Sequence, residues 1–78
     1  MILTVLSPEK EILHVEDAVS VELPGTLGRF VVCQDHAPLI SPLEKGTIDY
    51  RTRSGSGSVP VDDGFVRIEE NTITVCAG

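Results

Sequence analysis

The 78-residue chain carries 12 acidic against 6 basic side chains, a formal charge of −6, with 41% hydrophobic residues, 4% aromatics and no tryptophan. A chain of this length folds around one core and buries roughly 60–65% of its unfolded surface, which leaves little room for a large substrate cleft. The acidic excess opposes binding to nucleic acid or an anionic membrane, the shortage of rings argues against base- or sugar-stacking platforms, and a charged partner is expected to be basic.

Val, Ile and Thr, all branched at Cβ, supply 22 residues and favour a pleated sheet. The first segment in chain order is ambiguous. Between Ser7 and Val19, Ser7 has the form of a helix cap, Pro8 of a first helical position, and Ile12, Val15 and Val19 share a helical face, so helix and strand both stay open. From there Val19, Val21 and Leu23 alternate with Ala18, Ser20 and Glu22, and the period of two predicts a strand that ends at the turn signals Pro24-Gly25 and Gly28. Phe30–Cys33 is the longest unbroken apolar run, four residues where a membrane span needs about 20.

A proline-stiffened corner follows at Asp35-His36-Ala37-Pro38-Leu39-Ile40. Alternation returns in the pairs Ile48 and Tyr50, Val59 and Val61, Val66 and Ile68, and Ile73 and Val75. Turn signals separate them at Gly46, the Ser54–Ser58 run, Asp62-Asp63-Gly64 and Glu70-Asn71. The Ser/Gly run at 54–58 reads as a hairpin loop. The pattern predicts a single all-β domain over residues 1–78, a flattened antiparallel β-barrel or sandwich of about eight to ten short strands. Glu9, Lys10 and Glu11 interrupt any stretch that a signal peptide would need, so the chain is expected to stay in the compartment where it is made, with no insertion into lipid.

Little in the chain supports catalysis. Cys33 and Cys76 lie in apolar strand segments without zinc spacing and read as small buried hydrophobes in a reducing compartment, with a disulfide as the lesser alternative. His14 reads as a partly exposed strand residue and His36 as a packed loop residue. Ser41 with His36 is the least poor nucleophile and base pair, but no Gly-x-Ser-x-Gly turn accompanies it. Asp62-Asp63 and Glu69-Glu70 lack the ligand spacing of a calcium loop, and no phosphate-binding glycine loop occurs. No catalytic residue, metal or cofactor is expected.

Five motifs in order carry a resemblance: Leu3-Thr4-Val5-Leu6-Ser7-Pro8-Glu9, Leu23-Pro24-Gly25-Thr26-Leu27-Gly28-Arg29-Phe30, His36-Ala37-Pro38-Leu39, Gly64-Phe65-Val66-Arg67-Ile68 and Ile73-Thr74-Val75. Together they resemble the N-terminal β domain of the epsilon subunit of the F-type ATP synthase along the whole chain. The chain departs from the family pattern at Val31, at Cys33-Gln34-Asp35 and at the basic Arg29. The resemblance implies a flattened antiparallel β-barrel or sandwich in which 11–19 is strand. It also implies a noncatalytic rotor subunit that joins the gamma subunit to the c-ring and couples proton flow to ATP synthesis. Its location would be peripheral, on the cytoplasmic face of a bacterial inner membrane.

By the same resemblance Ser7, His36, Pro38 and Ser41 are expected to face gamma, and Thr26, Leu27 and Arg29 to meet the c-ring. A chain ending at Gly78 is expected to lack the helical hairpin through which relatives restrain ATP hydrolysis. The competing reading is a free-standing β adaptor that binds partners through a sheet edge. A carrier domain would need a lysine at a hairpin tip, and neither Lys10 nor Lys45 has that setting.

Overall fold

The computed structural model describes residues 1–78 and contains nine strands and no helix. They are β1 (Ile2–Leu6), β2 (Glu11–Val15), β3 (Ala18–Gly25), β4 (Gly28–Cys33), β5 (Leu39–Leu43), β6 (Gly46–Thr52), β7 (Ser56–Val61), β8 (Gly64–Glu69) and β9 (Thr72–Ala77). Five strands run side by side in the order β2-β1-β9-β8-β5, and four in the order β4-β3-β6-β7. The two halves form one curled sheet, joined where Gly25 of β3 pairs with Leu43 of β5. The amides of Thr26 and Glu44 donate to the carbonyls of Pro42 and Pro24 and stitch the join on either side.

The ambiguous first segment is strand. Ser7 does cap, but it caps a turn: its Oγ accepts from the amides of Glu9 and Lys10, while its own amide donates to the Lys10 carbonyl at 2.9 Å. That closes the chain back on itself and sends β2 antiparallel along β1, so no helix starts at Pro8. The strand expected over 11–19 breaks at Glu16-Asp17 into β2 and β3.

One pairing departs from the expected antiparallel pattern. β1 lies parallel to β9, with Leu3 against Ile73 and Val5 against Val75. Alternation tells which residues share a face, and that face is the same for a parallel or an antiparallel neighbour. The hairpin loop expected at 54–58 is also shorter: Ser56–Ser58 belong to β7 and pair with Arg51, Tyr50 and Asp49. Gly57 pairs with Tyr50 in the ladder, and the Tyr50 ring lies over it where a Cβ would collide with the ring and its hydroxyl.

The alternating residues meet inside the curl. Thirteen buried side chains form one cluster, with Leu3, Leu23, Ile48, Ile68 and Ile73 the largest. Each contributes roughly 1.5–3 kcal/mol by leaving water. Every strand except β2 supplies at least one of them, and β2 packs Leu13 and Val15 against the edge. The N-terminal amine donates to the Ala18 carbonyl at 2.9 Å, which ties the start of β1 to the start of β3. No helix of the structure is long and apolar enough to cross a membrane.

The cysteines are not core residues as expected. Cys33 is exposed and Cys76 half-buried, both as free thiols. Their neighbours Val32 and Val75 take the inward positions, and strict alternation turns the thiols outward.

Candidate functional site

The two halves of the sheet present outward faces of opposite character. On the five-stranded half, Leu6 is paired with Cys76, Cys76 with Phe65, and Phe65 with Pro42, an unbroken apolar row across four strands. A β-bulge between Val5 and Leu6 brings Glu11 and Ile12 opposite the end of this row, and Ile12 is 42% exposed. Phe65 is 48% exposed and Ile40, one position along β5 from Pro42's neighbour Ser41, is 70% exposed. The adjacent row runs His14, Thr4, Thr74, Arg67 and Ile40, and is polar except at its end. Thr4 Oγ1 lies 3.0 Å from His14 Nδ1, and Arg67 pairs with Glu69 at 2.8 Å.

The outward face of the four-stranded half is mainly polar, with Val31, 52% exposed beside Glu22, a hydrophobe on it. Arg29 lies across it, donating from Nε to Glu22 at 2.8 Å and from its terminal nitrogen to Asp49 at 3.1 Å. Ser58 Oγ donates to the other Asp49 oxygen at 2.6 Å. That hydrogen bond, with help from Thr47 and the Arg29 charge against some desolvation, holds the Asp49 carboxyl below the usual range. In exposed positions these ion pairs contribute little stability, but they immobilise Arg29.

The residues singled out in the sequence fall at separate places. Thr26, Leu27 and Arg29 belong to the β3–β4 hairpin, closed by the pair Gly25 and Gly28, with Gly28 at φ +127°. Leu27 is fully exposed at its tip, whereas Arg29 is turned back along the sheet. This turn sits at the end of the five-stranded half where Leu43 pairs with Gly64, and Gly64 with Ala77. Ser7, following β1, is at that same end.

His36 and Pro38 are at the opposite end, in the 34–38 connection that leads into β5, three strands from β1 and about 14 Å across the sheet. Ser41 pairs with the buried Val66, so it belongs to the inward set of β5, and its Oγ donates to the Pro42 carbonyl. The four residues expected at one partner therefore fall at two opposite ends of the five-stranded half and, for Ser41, on the inward side of β5. The apolar row lies at Ser7's end of this half, with the polar row between it and His36 and Pro38, and the sequence reading missed it because Leu6, Pro42, Phe65 and Cys76 come from four separate strands. A hydrophobe out of phase with its strand's inward set was the available signal, at Phe65 beside Val66 most clearly.

No constellation for catalysis is assembled. His36 Nδ1 is 2.7 Å from the Ala37 carbonyl, and Ser41 Oγ is engaged with Pro42, so the weak nucleophile and base pair is not formed. His14 is exposed and lies 3.3 Å from Glu16. No three His, Cys, Asp or Glu side chains gather where a metal would need them.

Curated relatives include the ATP synthase epsilon chain of Desulfitobacterium hafniense, 39% identical over 75 residues, and that of Symbiobacterium thermophilum, 35% identical over 77. The alignments take in 96% and 99% of this chain but only 56% and 55% of those proteins. The chain thus spans little more than half the length of these relatives. Among solved structures, a chain in the central stalk and c-ring of the Tetrahymena thermophila mitochondrial ATP synthase superposes with a TM-score of 0.82 at 19% identity, over 99% of this chain and 62% of that one. A chain of the Euglena gracilis mitochondrial ATP synthase superposes with a TM-score of 0.90 at 18% identity, over 99% and 49%. The fold is the same in both. Residues 1–78 match the family described as ATP synthase, delta/epsilon chain, beta-sandwich domain, and the chain belongs to that family.

Proposed function

We propose that the chain is a noncatalytic rotor subunit of an F-type ATP synthase, joining the gamma subunit to the c-ring so that proton flow drives ATP synthesis. The observation that carries this reading is the outward apolar row Leu6, Cys76, Phe65 and Pro42 on a domain of the epsilon family. A monomer that exposes a continuous apolar stripe on one face and an ion-paired network on the other has one face built to be covered. Gamma is the occupant, over the row and out to Ser7 at one end and to His36 and Pro38 at the other, while Ser41, turned inward on β5, acts through its bond to the Pro42 carbonyl. The Thr26–Arg29 hairpin faces the polar loops of the c-ring, where exposed Leu27 is the anchor and Arg29, already paired to Glu22 and Asp49, sets orientation.

The subunit is peripheral in this reading, held at the cytoplasmic face of a bacterial inner membrane through the complex, with no cofactor of its own. Mixing the purified chain with gamma and resolving the products by size-exclusion chromatography tests it: a one-to-one complex is expected at micromolar concentration. Separate elution of the two proteins would overturn the reading, and capture of other soluble proteins through a sheet edge would favour an adaptor.

A further inference from the structure

The 34–38 connection is the longest in the fold and crosses from β4 in one half of the sheet to β5 in the other. It has no ladder of its own. Its shape depends on one side chain from a distant turn. The Asp35 amide donates to Asn71 Oδ1 at 2.7 Å, and Asn71 Nδ2 donates back to Asp35 Oδ1 at 3.2 Å. Asp35 has φ +62°, a left-handed backbone uncommon in a residue with a side chain, and the clasp holds it there. The His36 amide then closes onto the Cys33 carbonyl at 3.2 Å, which sets the direction in which His36, Ala37 and Pro38 leave.

Asn71 is itself anchored. It occupies the two-residue turn between β8 and β9 at φ +59°, and its carbonyl accepts from the Ile2 amide at 2.9 Å. One residue thus joins the β8–β9 hairpin, the start of β1 and the 34–38 connection. The turn alone would accept glycine. The clasp requires a side chain that can both donate and accept, and among residues suited to a left-handed turn the amide of asparagine does both.

We propose that Asn71 is a positioning residue for the partner contact at His36–Pro38, holding that segment through Asp35 in the shape that gamma recognises. The proposal rests on the functional reading above, and it deepens that reading by naming what pre-shapes this corner. An isolated five-residue connection would otherwise be ordered only on binding, at a cost to affinity.

Three variants separate the possibilities. Asn71→Gly keeps the turn and removes the clasp. Asn71→Asp keeps an acceptor for the residue-35 amide but sets two carboxylates face to face. Asp35→Asn combined with Asn71→Asp restores both bonds with the side-chain donor and acceptor exchanged.

Amide hydrogen exchange over 35–37 in the isolated chain and affinity for gamma by calorimetry are measured for each, with His36→Glu alongside. Faster exchange and about ten-fold weaker binding are expected for Asn71→Gly, with both recovered in the exchanged double variant. Unchanged exchange in Asn71→Gly would overturn the clasp. Weak binding by His36→Glu but full affinity in Asn71→Gly would overturn the positioning role and leave the functional reading standing. Full affinity in both, in spite of a loosened segment, would remove this corner from the interface and the proposal with it.

Discussion

Phe65→Ala tests whether the apolar row is an interface. Phe65 is 48% exposed, flanked across the strands by Cys76 and Pro42. About half of a side chain that buries on the order of 200 Å² is therefore still available to a partner, roughly 100 Å². At about 25 cal/mol per Å² its removal from water on binding is worth about 2.5 kcal/mol, or on the order of 70-fold in Kd. The cost to folding is smaller, since the ring lies on the outer face and not among the core side chains. About 1 kcal/mol is expected there, a fall in Tm of roughly 4–8 °C. Calorimetric titration into gamma, paired with a thermal melt of each protein alone, separates the two effects. A Kd changed less than about three-fold in a folded variant would refute the assignment of this face to gamma.

At the far corner, His36→Glu is expected to release the subunit from gamma, whereas Arg29→Glu weakens it less; equal losses in a pull-down would count against a gamma-dominated interface. Asp49 titrates low because Ser58 and, behind it, Thr47 and Arg29 favour its charged form. Its contribution to stability is thus present above the unfolded carboxyl value and fades as pH falls through the depressed folded value, and Ser58→Ala should raise the Asp49 value in a carboxyl NMR titration. No rise would mean that the hydrogen bond is not the cause. Gly64 has φ +139°, and a Cβ there would strike the Cys76 carbonyl, so Gly64→Ala should cost about 2–3 kcal/mol by denaturant unfolding. Gly55, which faces open space, serves as the control, and equal losses at both would defeat the steric argument.

The strands were legible where one face is buried. Val66 with Ile68 and Ile73 with Val75 announced β8 and β9, because period two and burial coincide there. Partners were less legible than faces. The parallel match of β1 with β9 joins residues 70 positions apart, and nothing local in either strand differs from an antiparallel edge. Ser56–Ser58 looked like loop because a glycine normally weakens a strand, whereas here the Tyr50 ring covers Gly57 and leaves no room for a side chain. The cysteines were misplaced for a related reason: composition suggested burial, and position within the alternation decided otherwise. Of the candidate site, the turn at Thr26–Arg29 and the corner at His36–Pro38 were recognisable as motifs. The surface between them was not, since the cross-strand register that assembles Leu6, Cys76, Phe65 and Pro42 exists only after folding.

The parallel pairing of β1 with β9 also bears on how the chain acquires its structure. Ile2–Leu6 can find Thr72–Cys76 only when every other strand of the domain has been synthesised, so during translation the first strand must wait, paired at most with β2. Closing so long a loop is an entropic obstacle that local hairpins such as β3–β4 and β8–β9 do not face. Folding is therefore expected to begin in those hairpins and to end with β1 entering between β2 and β9. Until that step Leu3 and Val5 remain outside the core, and the nascent domain presents an unpaired, aliphatic strand to the ribosome exit and to any chaperone waiting there.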